Sequence, residues 1–154
     1  MINYTIYAKS NQWPRRVKKL KQIINQVLIY RNDLKFICDV NYYCNFILAN
    51  DIFIKKFNYK YKKLNKSTDV LTFVSNINFK NKKKEKHCDI VLSIDTIKKD
   101  VEKNDIEFYN HLTHLIIHSF LHINDYVHNR IKDYIVMKNL EISILKKLQI
   151  KSPY

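Results

Sequence analysis

The stretch His114-Leu-Ile-Ile-His118-Ser-Phe-Leu-His122-Ile-Asn-Asp-Tyr-Val-His128 holds four of the chain's six histidines in an apolar frame of Leu115, Ile116, Ile117, Phe120 and Leu121. That frame reads as a buried helix. His118 and His122 are four residues apart, so their side chains stand one above the other on one helix face and can share a metal ion. His114 repeats the spacing one turn earlier but is out of reach of the same ion. At helical rise it lies roughly 12 Å along the axis from His122, whereas two nitrogens on one zinc stand within about 4 Å of each other. A third ligand has to come from beyond the helix. His128 is placed for it, six residues past His122 and across the turn-forming pair Asn124-Asp125.

Outward from this helix, the pattern predicts strands and helices in alternation. Residues 2–8 alternate as a strand, and Pro14 opens a helix whose apolar side is Val17, Leu20, Ile23, Ile24, Val27 and Leu28. Residues 34–48 parse poorly, with a strand expected over about 43–49. Asp51 is expected to cap a helix ending near Lys60. Strands follow at 68–74 and 89–93, with a polar, lysine-rich exposed loop from Asn76 to Lys86 between them. Asp95 is expected to cap a short helix to about Lys103. The histidine helix then spans about 105–123, and a last helix carries Ile135, Leu140, Ile144, Leu145 and Leu148. The expected architecture is one α+β domain covering residues 1–154, with about four strands in a mixed sheet packed against helices. The histidine site falls at the end of the central helix.

Composition narrows the class. At 154 residues with 46% apolar and 13% aromatic content, the chain can bury a full core. It has no run of about 18 apolar residues for a membrane span, and no signal-peptide pattern opens it. Cys38, Cys44 and Cys88 are odd in number and form no paired motif, as expected of buried, reduced thiols in a cytoplasmic protein. The formal charge of +14 favours an anionic partner. That inference is discounted by the composition, because glycine is absent and alanine occurs only at positions 8 and 49. An A+T-rich coding sequence would inflate lysine in this way, and the base composition of the coding DNA tests that. The basic face of the first helix, with Arg15, Arg16, Lys18, Lys19 and Lys21, reads first as a solvated surface, with an RNA-contacting face as the sharper alternative.

Three neutral imidazoles around one ion leave a fourth position for water, the arrangement of a catalytic zinc site. Zinc lowers the pKa of bound water from about 15.7 toward about 7, making it a nucleophile at neutral pH. Zinc peptidases with the same histidine spacing carry a glutamate directly after the first histidine as general base. Here that residue is Ser119, which disfavours peptide hydrolysis. His111 and His114 are expected to be supporting or solvent-facing, and His87 a surface residue.

At this point the sequence resembles the YbeY endoribonucleases, bacterial rRNA maturation factors. Their H-G-x-L-H-L-x-G-Y-D-H is similar to His118-Ser-Phe-Leu121-His122-Ile-Asn-Asp-Tyr126-Val-His128, and M-x-x-x-E-x-x-I-L to Met137-Lys-Asn-Leu-Glu141-Ile-Ser-Ile144-Leu145. Upstream, L-N-x-x-Y-R resembles Phe57-Asn58-Tyr-Lys-Tyr61-Lys62. T-D-V-L-S-F resembles Thr68-Asp69-Val70-Leu71-Thr72-Phe73, and G-D-I-V-I-S resembles Cys88-Asp89-Ile90-Val91-Leu92-Ser93. The resemblance implies a zincin-like fold with a cleft beside the sheet and one zinc held by His118, His122 and His128. It also implies single-strand-specific endoribonuclease activity in maturation of rRNA, notably the small-subunit 3′ end. Single-stranded RNA, rRNA and the ribosome are the implied partners, together with a ribosomal protein or ribosome-associated GTPase. A phosphate-facing role is implied for Lys62, at the family's arginine. Asp69 and Thr68 are expected to support the pocket.

The sequence departs from that pattern at chemically meaningful positions. Lys62 keeps the charge but lacks the planar fork that binds phosphate in two places. Ser119, Asp125 and Cys88 replace glycines, and Val127 replaces an aspartate, removing an expected hydrogen bond behind the metal. Asp125 substitutes tolerably where φ is positive. Two readings follow: a zinc-dependent endoribonuclease, or a weakened RNA- and ribosome-binding factor with a structural zinc.

Overall fold

In the computed structural model the structure describes residues 1–78 and 84–154, with side chains at 77 and 78 left aside. Four strands form one mixed sheet in the order β1-β2-β4-β3. They are β1 (Ile2–Ala8), β2 (Val40–Ala49), β3 (Val70–Asn78) and β4 (Lys84–Ser93). β1 and β4 both run parallel to the central β2, while β3 lies antiparallel to β4 at the edge. Along β2 the side chains alternate, with Val40, Tyr42, Cys44, Phe46 and Leu48 buried on one face, as the two-residue period of a strand requires.

Five α-helices complete the described residues: α1 (Val17–Leu28), α2 (Asp51–Lys62), α3 (Ile94–Asn104), α4 (Phe108–Ile123) and α5 (Ile131–Lys147). Pro14 opens a short 3-10 turn leading into α1. The larger core gathers Leu20, Ile24 and Val27 of α1, the inner residues of β2 and β4, and the apolar residues of α4 and α5. On the opposite sheet face, Ile54 of α2 packs with Ala49, Leu71 and Val91 beneath Phe53, Phe57 and Phe73. α4 is surrounded by α1, α3, α5 and β3. Leu112, Leu115, Ile116, Ile117, Phe120, Leu121 and Ile123 are all buried, the all-round apolar pattern of a central helix.

Several boundaries differ from expectation for local reasons. Asn50, not Asp51, caps α2, its side chain accepting from Phe53 N at 3.0 Å. Asp51 instead accepts from Ser93 Oγ at 2.7 Å and Lys99 Nζ at 2.9 Å, and its own N–H donates to Asp95 at 3.0 Å. Asp95 is therefore a bridge to α2 rather than a cap, and Ser93 holds the cap position of α3. α4 begins at Phe108, because Asp105 ends α3 in the left-handed region (φ 50°) and Glu107 caps the next helix. Residues 34–37 lie in turns and irregular chain rather than a strand.

The expected loop from Asn76 to Lys86 is mostly strand. β3 extends to Asn78 and β4 begins at Lys84, leaving 79–83 outside the described residues. Lys86 is buried, in phase with Cys88, Ile90 and Leu92, while His87 is exposed and stacks on Tyr43. Cys44 and Cys88 face each other across β2 and β4, buried and free, and Cys38 is exposed. The Cys88 contact and burial push the Cys44 thiol well up. With no glycine available, positive φ falls on Lys35, Lys63, Asp105, Asp125 and Gln149. No described helix is long and apolar enough to cross a membrane.

Candidate metal centre

α4 presents His118 and His122 side by side, and the turn after it returns His128 to the same place. One ring nitrogen of each lies within 4.8 Å of the others. The His128 ring stacks against His118 (centroids 5.4 Å, interplanar 27°) and meets His122 at 5.0 Å. The return depends on Asp125, whose φ of 68° reverses the chain. It also depends on Lys86, whose Nζ donates to Ile123 O at 2.8 Å and to Asp125 Oδ2 at 2.9 Å. A buried lysine on β4 therefore fastens the turn that delivers the third histidine.

The backs of the rings are occupied. His118 Nδ1 donates to Glu141 Oε1 at 2.7 Å, and His122 Nδ1 donates to the Tyr126 carbonyl at 2.8 Å. Each neutral ring then carries a lone pair on Nε2. These two Nε2 atoms lie 3.0 Å apart, close to the roughly 3.4 Å expected of two nitrogens on one tetrahedral zinc. Facing lone pairs at that distance repel, and a shared cation removes the conflict. Burial, followed by repulsion from His118, lowers the His122 pKa to about 4, so its lone pair is available at neutral pH. The donor set fits a divalent ion that accepts imidazole.

Glu141 on α5 is the hub behind these rings. Its side chain is 1% exposed. His114 Nε2 donates to its Oε2 at 2.8 Å, and the Tyr154 hydroxyl donates to the same oxygen. Burial pushes the carboxyl up, but the bonds from His114, His118 and Tyr154 outweigh it and hold the pKa at about 2. His114 thus meets Glu141 and lies outside the group formed by His118, His122 and His128. His111 lies 4.0 Å from Asp100 Oδ2. Burial is the main cause that lowers the pKa of His111 and raises that of Asp100.

The histidines open into a cleft of about 510 Å³ between α4, the edge strand β3 and the end of α2. Lys62, Thr68, Asp69 and Tyr154 line it together with the three histidines. Lys62 is exposed, and its charge bears on His122. Asp69 Oδ1 accepts from Val70 N at 2.7 Å and Thr68 Oγ1 at 3.1 Å, shaping the start of β3. Ser119 is buried within α4 and donates to Leu115 O at 2.8 Å. It points to the helix's own backbone and away from general-base chemistry.

Lys86 and Tyr154 escaped the sequence reading as supporting residues, and Glu141 did so in part. Lys86 was legible in principle, since it extends the two-residue alternation of β4 inward. Glu141 was marked only by resemblance, and its partners became visible only in three dimensions. Tyr154 carries no local signal.

A four-stranded mixed sheet crossed by an apolar helix, with three histidines gathered at a cleft, defines an α+β protein with a tri-histidine centre. The chain belongs to the family described as Endoribonuclease YbeY, whose sequence profile matches residues 5–149. The Endoribonuclease YbeY of Ehrlichia chaffeensis is 35% identical over 158 aligned residues, covering 100% of this chain and 97% of the relative. That of Bartonella bacilliformis is 30% identical over 155, covering 100% and 98%. The solution structure of TM1509 from Thermotoga maritima has the same fold, with a TM-score of 0.55 at 19% identity, covering 97% of this chain and 92% of that one.

Proposed function

We propose that residues 1–154 form one zinc-dependent, single-strand-specific endoribonuclease domain acting in rRNA maturation at the ribosome, in the cytoplasm. The observation that carries this is the 3.0 Å approach of His118 Nε2 and His122 Nε2 with both Nδ1 atoms already donating. His118, His122 and His128 hold the ion in this reading. When bound, zinc supplies a Lewis acid and a nucleophilic water at neutral pH.

The protein's own groups do the rest. Glu141 and the Tyr126 carbonyl keep the two helix histidines in the tautomer whose Nε2 faces the cleft. Lys62 places a cation where a backbone phosphate enters, and the formal charge of +14 attracts the polyanion over a longer range. The open cleft beside edge strand β3 suits a flexible strand that can turn its backbone toward the histidines. Partners on this reading are single-stranded RNA, rRNA and the ribosome, with a ribosomal protein or GTPase directing the substrate.

Metal content and cleavage of single-stranded rRNA, measured on the same preparation, test this. About one zinc per chain with cleavage abolished by a chelator is expected. A metal-free protein that cleaves equally well would overturn it.

Lys62 favours a second reading, a weakened nuclease retained for RNA and ribosome binding. On that reading zinc is bound, cleavage is undetectable, and RNA affinity falls steeply with salt.

A further inference from the structure

Beyond α5 the chain turns at Gln149 (φ 59°) and carries Tyr154 back to the wall of the cleft. Its hydroxyl donates to Glu141 Oε2 and lies 3.4 Å from His114 Nε2. Its ring meets His114 edge-on (centroids 5.6 Å, interplanar 80°), and Lys138 Nζ sits 4.6 Å from its centroid. Glu141 thus receives three donors: His118 on Oε1, and His114 and Tyr154 on Oε2.

A carboxylate turns as a rigid plane, so whatever holds one oxygen fixes the direction of the other. Oε2 is held by Tyr154 and His114, and Oε1 in turn sets the rotation of the His118 ring. That rotation aims the His118 Nε2 lone pair. Ring orientation by a carboxylate, and of that carboxylate by its own partners, is a general determinant of metal affinity.

We propose that Tyr154 is a positioning residue of the three-histidine site, its hydroxyl orienting His118 through Glu141 while its ring closes one wall of the cleft. This rests on the reading of His118, His122 and His128 as metal ligands. Tyr154 itself stays off the ion and acts at one remove.

The test is zinc affinity of the full chain, by competition with a chromophoric chelator, for the wild type, Tyr154→Phe, Glu141→Gln and the double variant. Tyr154→Phe is expected to weaken zinc about tenfold and to have no further effect once Glu141 is replaced. Equal affinity in wild type and Tyr154→Phe, or an undiminished loss in the Glu141→Gln background, would overturn the role of Tyr154. A wild type that binds no zinc would overturn the metal reading instead. If Glu141→Gln does not fold, the visible spectrum of the cobalt-loaded protein decides, because Tyr154→Phe is expected to change it. An unchanged spectrum would overturn the proposal.

Discussion

His118 Nε2 and His122 Nε2 approach to 3.0 Å while the Nδ1 of each ring meets an acceptor behind it, the Glu141 carboxylate and the Tyr126 carbonyl. The pair is arranged for a cation before one arrives. His118→Ala is therefore expected to lower zinc content from about one per chain to nearly none and to abolish RNA cleavage. Elemental analysis and a labelled-RNA assay read the two effects separately. Wild-type cleavage by this variant would remove zinc chemistry from the mechanism.

Lys62 offers a point charge where a planar fork would grip a phosphate in two places. Lys62→Arg is expected to raise kcat/KM on single-stranded RNA. Lys62→Ala is expected to lower it by about 10- to 100-fold, the range of one charge-assisted hydrogen bond. No change in either variant would place the phosphate elsewhere in the cleft.

The metal-free protein is expected to lose stability in acid in two stages. Burial and then His118 depress His122 to about 4 in the fold, against an ordinary value of about 6.5. Below pH ~6.5 the unfolded chain takes a proton that the folded one refuses, so stability falls between about 6.5 and 4. Glu141, held at about 2, adds stability that is fully present above its ordinary carboxylate range and lost as pH falls toward 2. Urea midpoints across this range measure both stages, and a flat profile from pH 7 to 4 would contradict the first.

Lys86 donates to a backbone carbonyl inside the core and to Asp125 in the turn. Lys86→Met fills the space but leaves Ile123 O without that donor. The expected cost is about 1–3 kcal/mol in urea denaturation, with weaker zinc binding because His128 follows the loosened turn. Unchanged stability would mean another donor replaces it.

The sequence showed the parts of this molecule that depend on periodicity and spacing. The α4 frame and the separation of His114 from the three-histidine group follow from helical geometry, and the return of His128 follows from the turn-forming pair Asn124-Asp125. What it could not show depended on side chains choosing partners across the fold. Asp51 looked like a cap, but the hydroxyl of Ser93 and the ammonium of Lys99 offered its carboxylate better partners. Lysine-rich composition made 76–86 look like loop, though a lysine on an inward strand position can be buried when a carbonyl and a carboxylate meet its tip. Glu141 and Tyr154 reach the histidines from other segments, so no local pattern could join them.

A chain that turns without glycine has left improvements in reserve. Lys35, Lys63 and Gln149 are exposed and sit in the left-handed region at φ 64°, 58° and 59°, a conformation that costs an L-residue with a long side chain about 1–2 kcal/mol. Glycine is usually the destabilising substitution, through its greater freedom when unfolded, at about 0.4–1 kcal/mol. At these three positions the ordering reverses, and each replacement by glycine is expected to raise the melting temperature, measurable by calorimetry. Replacements by glycine at these turns, of a kind that would loosen most proteins, would tighten this one, so its tolerance of mutation has a different map from that of a glycine-bearing relative.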